Sequence, residues 1–220
     1  MKILELFAGS RSVGKVAEEL GYEVFSVDIN NFKGINLVKD IEFLNKKDIP
    51  FKPDFIWASP PCTTYSIAAI GHHRDMGKPK TDFAAKSDRL VLNTLKLIKE
   101  FNCKYFIENP RGYMRKMFFM KEIPRVTVWY CRYGDKAAKP TDIWSNHIYS
   151  LFNQKGWQPR QECFNGNKKC HHEAAPRGST IKKLKEKGVI VKKGGTQAKK
   201  NNYERSKIPY ELCKEILLSL

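Results

Sequence analysis

Two residues of this sequence have the chemistry for covalent addition to an electron-poor ring. Cys62 follows Pro60-Pro61 at the end of an apolar segment, where a partly exposed thiol near a helix N-terminus is favoured as the thiolate. Glu108 ends another apolar segment, and we expect its carboxyl to be desolvated and able to donate to a ring nitrogen. A nucleophile and an acid together can add a thiol across a pyrimidine. The plainer alternatives are a small buried cysteine and a solvated turn carboxylate.

The elements that must position these residues alternate between strand and helix. Apolar runs predict strands, helical spacing predicts helices, and Ile67–Phe83 is polar and glycine-bearing, which predicts a mobile loop. We therefore expect an α/β fold with a largely parallel sheet and helices on both faces. The predicted strands are Lys2–Phe7, Tyr22–Val27, Asp54–Ala58, Lys104–Ile107 and Val126–Tyr130, and the predicted helices are Val13–Leu20, Ala84–Phe101 and Ile208–Leu220.

The carboxyl ends of these strands are the expected binding edge, because ligands of open α/β sheets bind there. Four ends carry polar or reactive groups: Phe7-Ala8-Gly9, Asp28, Pro61-Cys62 and Glu108-Asn109. The first strand, its small-residue turn, the helix and the second strand ending in Asp28 resemble the opening of a nucleotide-binding βαβ unit.

Charge and composition indicate the class of partner. The 220 residues carry 40 Lys and Arg against 23 Asp and Glu, a net charge of +17, and residues 151–207 hold 15 of the basic and four of the acidic residues. A polyanion is the simplest explanation, although a basic protein without such a partner is the alternative. The chain has no long apolar run, no signal-like N-terminus and only scattered cysteines, so we expect no membrane contact, reduced thiols and a cytoplasmic location.

The motifs follow the order found in DNA cytosine-5 methyltransferases, and the chain resembles that family. The cofactor motif corresponds to LELFAGSRSVGKVAEELGYEVFSVDIN, and the next motif corresponds to Lys39-Asp40-Ile41. The nucleophile motif corresponds to DFIWASPPCTTYS, and the acid motif corresponds to FIENP. The tail RSKIPYELCKEIL resembles the last motif. The short length and divergent middle resemble bacteriophage members, for which restriction-modification is one role left open.

The resemblance implies an S-adenosylmethionine-dependent methyltransferase with a Rossmann-like mixed sheet, helices on both faces and a small basic recognition lobe. It implies methyl transfer to carbon 5 of cytosine in double-stranded DNA, through a covalent Cys62 adduct on a flipped-out base, by a monomer. The implied catalytic residues are Cys62, Glu108, Asn109 and Arg132, with Arg132 and Lys139 as equivalents of the family's paired arginines. The implied cofactor-binding residues are Phe7, Ala8, Gly9, Asp28, Ile29, Asp40, Ile41, Pro61 and Ser206.

The chain is accordingly divided into three parts by sequence. Residues 1–150 form the predicted catalytic domain, 151–202 the basic DNA-recognition region, and 203–220 a C-terminal helix that returns to the catalytic domain. Lys182–Lys187 and Lys192-Lys193 are expected to contact the DNA backbone or to be solvated charge. The loop from Thr63 to Lys80 is expected to close over the flipped base.

Several alternatives stay open. Cys163, Cys170, His171 and His172 are ligand types that suit zinc, but their spacing matches no common finger, so we favour a DNA-facing segment with incidental thiols and no metal. A methyltransferase acting on an exocyclic amine would carry an aromatic residue where Cys62 stands. A zinc deaminase would need a second cysteine three residues after Cys62. A non-catalytic DNA-binding protein on a methyltransferase scaffold is the remaining alternative.

Overall fold

The computed structural model describes residues 1–172, 186–188 and 202–220. Within these residues the strands are β1 (Lys2–Leu6), β2 (Glu23–Asp28), β3 (Leu37–Val38), β4 (Phe55–Ala58), β5 (Arg74–Asp75), β6 (Lys78–Pro79), β7 (Lys104–Pro110), β8 (Arg125–Trp129) and β9 (Pro140–Ser145). The helices are α1 (Ser12–Glu19), α2 (Ile70–His73), α3 (Asp82–Phe101), α4 (Asn202–Ser206) and α5 (Tyr210–Leu218).

Seven strands form one mixed sheet in the order β3-β2-β1-β4-β7-β9-β8. The first five strands in this order, β3, β2, β1, β4 and β7, are parallel. Strand β9 is antiparallel to both of its neighbours, β7 and β8. The chain runs from β1 outward to β2 and β3, then returns to place β4 on the other side of β1. Because strand order reverses between β1 and β4, a crevice is expected at their carboxyl ends. The predicted α/β fold with a mixed sheet is confirmed.

Each central strand buries both faces, because residues alternate between the two sides of the sheet. Leu4, Leu6, Ile56 and Ala58 belong to a core shared with the apolar side of α3. Ile3, Phe55 and Trp57 belong to a second core shared with α1 and α5. Helices thus cover both faces, and the strand ends are held rigidly where the candidate residues lie.

The strand β9 was not predicted, because a sequence that begins with Pro140 and contains Asp142 is untypical of a buried strand. The structure resolves this conflict with charge pairing. The carboxylate of Asp142 is fully buried and accepts from Arg115 Nε at 2.9 Å and from Thr127 Oγ1 at 2.8 Å. Arg125 also lies 3.2 Å from it. Burial is tolerated because the charge is paired and hydrogen-bonded.

The segment predicted to be a mobile loop, Ile67–Phe83, instead contains α2 and the β5–β6 hairpin. Its anchor is Arg74, whose buried guanidinium donates to both carboxylate oxygens of Asp88 on α3, at 2.6 and 3.0 Å. Arg74 also donates to the carbonyl of Thr64 at 3.0 Å and lies 4.4 Å from the Tyr65 ring centroid. A single arginine therefore ties the segment to the long helix.

Residues 151–172 form an irregular lobe that is fixed to the sheet. Trp157 is buried against Phe106, with ring centroids 5.7 Å apart. Arg160 donates from its backbone to the hydroxyl of Tyr133 at 2.9 Å. The three-part division of the chain stays a prediction, and most of the basic stretches at 182–187 and 192–193 lie outside the described residues. No helix in the part of the chain that the structure describes is long and apolar enough to cross a membrane.

Candidate active site

A cavity of about 1340 Å³ opens at the carboxyl ends of β1, β2, β4 and β7, where the strand order reverses. Eleven of the thirteen predicted site residues line it: Phe7, Ala8, Gly9, Asp28, Ile29, Asp40, Ile41, Pro61, Cys62, Glu108 and Ser206. These residues come from separate parts of the chain and meet because parallel strands bring their ends to the same edge.

The turn after β1 forms one wall of the cavity in a conformation that L-residues rarely adopt. Phe7 and Arg11 have φ angles of 56° and 54°, and Gly9 has 47°. A non-glycine residue in this region is strained, and such strain is typical of functional sites. The Gly9 amide donates to Asp28 Oδ2 at 3.0 Å, which ties the turn to the end of β2.

A buried carboxylate that sequence analysis missed, Glu5, supports this turn from below. Its Oε1 accepts from the amides of Val13 and Gly14 at 3.2 and 3.0 Å, at the start of α1, and its Oε2 accepts from Ser26 Oγ at 2.8 Å. Burial raises the pKa of Glu5, against the lowering effect of these donors and of Arg11. A Cβ on Gly14 would lie 2.5 Å from Glu5 Oε2, so a larger residue there would displace the carboxylate. The available sequence signal was the acidic side chain of Glu5 within the apolar strand KILEL.

Asp28 and Asp40 place two carboxylates on the β1–β2 side of the cavity. Asp28 is buried and accepts from Gly9 and from the Asn30 amide at 2.8 Å. Asp40 caps the helical turn Ile41–Phe43 and lies 2.7 Å from the ammonium of Lys86. Burial alone would raise the pKa of Asp40, but the hydrogen bonds from Lys86 and Glu42 lower it overall. Asp40 is therefore an ionised, fixed acceptor at neutral pH.

Cys62 begins the single helical turn Thr63–Tyr65 at the mouth of the cavity. The residue is exposed to the cavity, yet enough protein surrounds the thiol that its pKa is raised, first by desolvation and then by the charge of Glu108. Lys139 and Arg205 act in the opposite direction. The predicted preference for the thiolate is thus not met: one helical turn does not offset desolvation, and the resting group is the thiol.

Glu108 is buried in β7 and lines the same cavity. Its Oε1 accepts from the hydroxyl of Tyr130 at 2.8 Å, and burial together with Glu108 raises the pKa of that phenol well above its ordinary value. Tyr130 was missed because it ends an apolar run and has no polar sequence context. The next residue, Asn109, lies behind the cavity and donates from Nδ2 to the carbonyl of Pro60 at 2.8 Å. Asn109 thereby holds the turn that presents Cys62.

Arg132 does not line the cavity, although the sequence resemblance implied a catalytic role for it. Its side chain donates to the carbonyl of Glu162 in the lobe at 3.0 Å and does not line the cavity. The reason is that Arg132 follows Tyr130 in a helical turn that directs it away from the strand ends. Of these two predicted basic residues, only Lys139 lines the cavity. Its ammonium lies 4.4 Å from the Tyr130 ring centroid and donates to the carbonyl of Arg205 at 2.9 Å.

The arrangement therefore combines a thiol, a buried carboxyl group and a basic residue around a cavity that is large enough for two ligands side by side. Cys62 and Glu108 lie close enough that the charge of one raises the pKa of the other. Apolar side chains of Phe7, Ile29 and Ile41 and the carboxylates of Asp28 and Asp40 occupy the β1–β2 side. One end of the cavity has a nucleophile and an acid, and the other suits a polar heterocycle with hydroxyl groups.

Comparisons with known proteins identify the family of this chain. The profile of the family described as C-5 cytosine-specific DNA methylase matches residues 1–118, just over half of the chain. A curated relative from Frog virus 3 (isolate Goorha), named as a probable DNA (cytosine-5)-methyltransferase, is 34% identical over 155 residues, which are 66% of this chain and 71% of that protein. The relative is viral, and the narrower bacteriophage and restriction-modification hypotheses stay predictions.

A solved methyltransferase structure shares the fold. EhMeth of Entamoeba histolytica superposes with a TM-score of 0.56 at 13% identity, covering 100% of this chain and 97% of that one. A DNMT2 mutant of Spodoptera frugiperda gives a TM-score of 0.47 at 22% identity over 70% of this chain, and the match spans about half (53%) of that protein. The family match confirms the resemblance and the enzyme class predicted from sequence, and the mixed sheet with the EhMeth superposition confirms the fold class. The chain belongs to the family of C-5 cytosine-specific DNA methylases.

Proposed function

We propose that this protein transfers a methyl group from S-adenosylmethionine to carbon 5 of a cytosine in double-stranded DNA, through a covalent bond between Cys62 and a flipped-out base. The observation that carries the proposal is that Cys62 and Glu108 line one cavity together with all nine predicted cofactor residues. We keep the monomeric state and the cytoplasmic location as predictions.

The residues on the β1–β2 side fit the proposed cofactor. The buried Asp28 carboxylate has acceptor capacity left for ribose hydroxyls, because each oxygen has two lone pairs and the described bonds use only part of them. Ile29 and Ile41 offer apolar surface for the adenine, and Phe7 offers it for the adenine or the methionine portion. Asp40 and the backbone of Gly9 complete the polar contacts. When bound, S-adenosylmethionine supplies the methyl group as an electrophile.

Cys62 and Glu108 perform the chemistry on the base. Cys62 passes its proton through water to the Glu108 carboxylate, and Sγ forms a bond to carbon 6. Glu108 donates this proton to ring nitrogen 3 and so stabilises the displaced ring electrons. Carbon 5 is then nucleophilic and accepts the methyl group. Water removes the carbon 5 proton, the double bond is restored as the Sγ–carbon 6 bond breaks, and the nitrogen 3 proton returns through Glu108 to the Cys62 thiolate.

Base extrusion is required because carbons 5 and 6 are hidden in the stack, and its cost is a few kcal/mol. Arg111, Lys139 and Arg205 stand at the cavity as basic groups that can contact phosphates. The α2 and β5–β6 segment adjoins Cys62 and adds His72, His73 and Lys78. We propose that this segment contacts the DNA strand and closes over the base.

Incubation with labelled S-adenosylmethionine and duplex DNA, followed by nucleoside analysis, tests this function. We expect label in 5-methylcytosine. Label in N4-methylcytosine would instead support an exocyclic-amine enzyme, and DNA binding with no transfer would support a non-catalytic scaffold. Parallel incubation with RNA measures the preference between the two nucleic acids.

Cys62→Ser is the decisive variant. We expect methyl transfer to be lost, because a hydroxyl is a far weaker nucleophile at neutral pH, while cofactor affinity stays near that of the wild-type protein. DNA that contains 5-fluorocytosine should form a denaturant-stable adduct with the wild-type protein only, since fluorine cannot leave carbon 5 as the proton does.

The matched control is Cys103→Ser. Cys103 is a half-buried cysteine at the amino end of β7, on the edge of the sheet opposite the cavity, so its substitution should preserve both transfer and adduct formation. Full activity of the Cys62→Ser protein, or an equal loss in both variants, would contradict the role of Cys62.

A further inference from the structure

Three cysteines and one histidine converge at the junction between the lobe and the end of β8. The ligand atoms of Cys131, Cys163, Cys170 and His172 all lie within 4.8 Å of one another. Cys131 belongs to the helical turn after β8, whereas the other three come from the irregular lobe about 30 to 40 residues later in the chain. This cluster is outside the cavity described above.

We propose that these four side chains bind one Zn²⁺ ion at a structural site that fastens the lobe to the sheet. The inference is independent of the proposed methyl transfer, since none of the four residues lines the cavity. Sequence analysis favoured incidental thiols because it considered Cys163, Cys170, His171 and His172. In the structure the fourth member of the cluster is Cys131 and not His171. Cys131 lies too far from the lobe in sequence for any local spacing to have suggested it.

The geometry suits a tetrahedral ion. Sγ of Cys163 and Nδ1 of His172 are 3.8 Å apart, and a tetrahedral ion with bonds of about 2.3 Å to sulfur and about 2.0 Å to nitrogen separates such ligands by about 3.5 Å. Cys131, Cys163 and His172 are buried. Without an ion, Nδ1 of this buried imidazole would have only one weak contact with sulfur.

The donor set selects the metal. Three thiolates and one neutral imidazole are soft ligands that favour Zn²⁺ over Mg²⁺ or Ca²⁺, and the ion and its ligands together would carry a net charge of −1. All four positions would be filled by protein, which is the pattern of a structural site without a reactive water. Asn167 supports it from outside, donating from Nδ2 to the Cys163 sulfur at 3.5 Å.

The adjacent histidine provides an internal control. Nε2 of His171 lies 3.1 Å from the carbonyl oxygen of Asp135 and takes no part in the cluster. A glutamine at this position can keep a donor toward that carbonyl. The pair His171→Gln and His172→Gln therefore separates loss of a ligand from loss of a histidine in the same loop.

Metal analysis of the purified full-length protein tests the proposal. We expect about one zinc per chain in the wild-type protein and in His171→Gln, and a zinc affinity at least roughly tenfold weaker in His172→Gln and Cys170→Ser. Replacement of zinc by Co²⁺ should give the intense visible absorption bands of a tetrahedral thiolate site in the wild-type and His171→Gln proteins. Chelation should make the lobe, at residues 157–172, more sensitive to proteolysis.

Three results would overturn the proposal. The first is a reduced wild-type protein that contains almost no zinc and also fails to bind added zinc or Co²⁺. The second is an equal loss of zinc in the two histidine variants. The third is a disulfide between two of the three cysteines in protein purified under reducing conditions. Circular dichroism of each variant distinguishes loss of the site from loss of the fold, and Cys103→Ser controls for the removal of a thiol.

Discussion

At the scale of single residues, the site depends on the surroundings of Cys62 and Glu108. Desolvation and the neighbouring carboxylate keep Cys62 as a thiol at rest, and Lys139 and Arg205 partly oppose them. The buried Tyr130 hydroxyl orients Glu108 by donating to Oε1.

The role proposed for Glu108 predicts a large loss on neutralisation. Glu108→Gln keeps the volume and the oxygen that accepts from Tyr130, but an amide cannot deliver and recover the nitrogen 3 proton. We expect the single-turnover rate to fall by about 10²- to 10⁴-fold. Glu100→Gln, on the exposed end of α3, is the control and should leave the rate unchanged. A Glu108→Gln protein of wild-type rate would remove this residue from the mechanism.

The raised pKa of Cys62 predicts a thiol reactivity that increases with pH. Because the pKa lies above its ordinary value, the thiolate fraction grows about tenfold per pH unit from pH 7 to about 9, and the rate at which iodoacetamide alkylates Cys62 in the free protein should follow it. Lys139→Gln removes a charge that lowers this pKa and should move the rise to higher pH. A flat profile, or a shift of the Lys139→Gln profile to lower pH, would contradict this assignment.

At the scale of elements, the ends of β2 and β7 carry Asp28 and Glu108, and a connecting segment carries Cys62. Arg74 fixes the α2 and β5–β6 segment next to Cys62. It forms an ion pair with Asp88, donates to the carbonyl of Thr64 and packs on the ring of Tyr65. The guanidinium fork uses several of its donors at once, which an ammonium group cannot do in the same geometry.

We predict that Arg74→Met destabilises this segment. Breaking this buried ion pair leaves the Asp88 carboxylate with the Tyr65 hydroxyl, at 2.7 Å, but without a compensating charge. The expected cost is about 3 to 5 kcal/mol in the free energy of unfolding or of local opening. Limited proteolysis should show faster cleavage within 67–80, and urea unfolding should show whether the loss is global. The double variant Arg74→Met, Asp88→Leu should lose less than the sum of the single variants. Strict additivity would contradict the ion pair.

At the scale of the whole molecule, the net charge of +17 favours a polyanion, and the basic excess lies mainly in residues 151–207. Strand ends, the lobe and the C-terminal segment meet around the cavity, so a bound duplex would face basic groups of all three. Attraction of this kind releases counterions and depends on salt.

We therefore predict a steep salt dependence of duplex binding. If about six phosphates are neutralised, affinity should fall by about 10³-fold between about 50 and 200 mM salt. The double variant Lys168→Gln, Lys169→Gln in the lobe should reduce the slope of log affinity against log salt by about 1 to 2. Lys52→Gln, beside the amino ends of the strands, should leave it unchanged. Salt-independent binding would contradict the electrostatic interpretation.

The sequence by itself determined the α/β alternation and most of the cavity lining. Hydrophobic periodicity is local, so β1, α1, β2, β4, α3, β7 and β8 were predicted with small differences at their ends. Parallel strands bring their carboxyl ends together, so Asp28, Cys62 and Glu108 could be assigned to one edge without coordinates.

Only the tertiary structure decided the features that depend on distant partners. Asp142 can lie in a central strand because Arg115 and Arg125 neutralise it, and Arg132 is turned toward the lobe and not the cavity. Glu5 supports the cofactor turn, and Cys131 joins the lobe cysteines, through contacts between segments far apart in sequence. Burial, charge pairing and ligand convergence are properties of packing, and no local pattern of residues contains them.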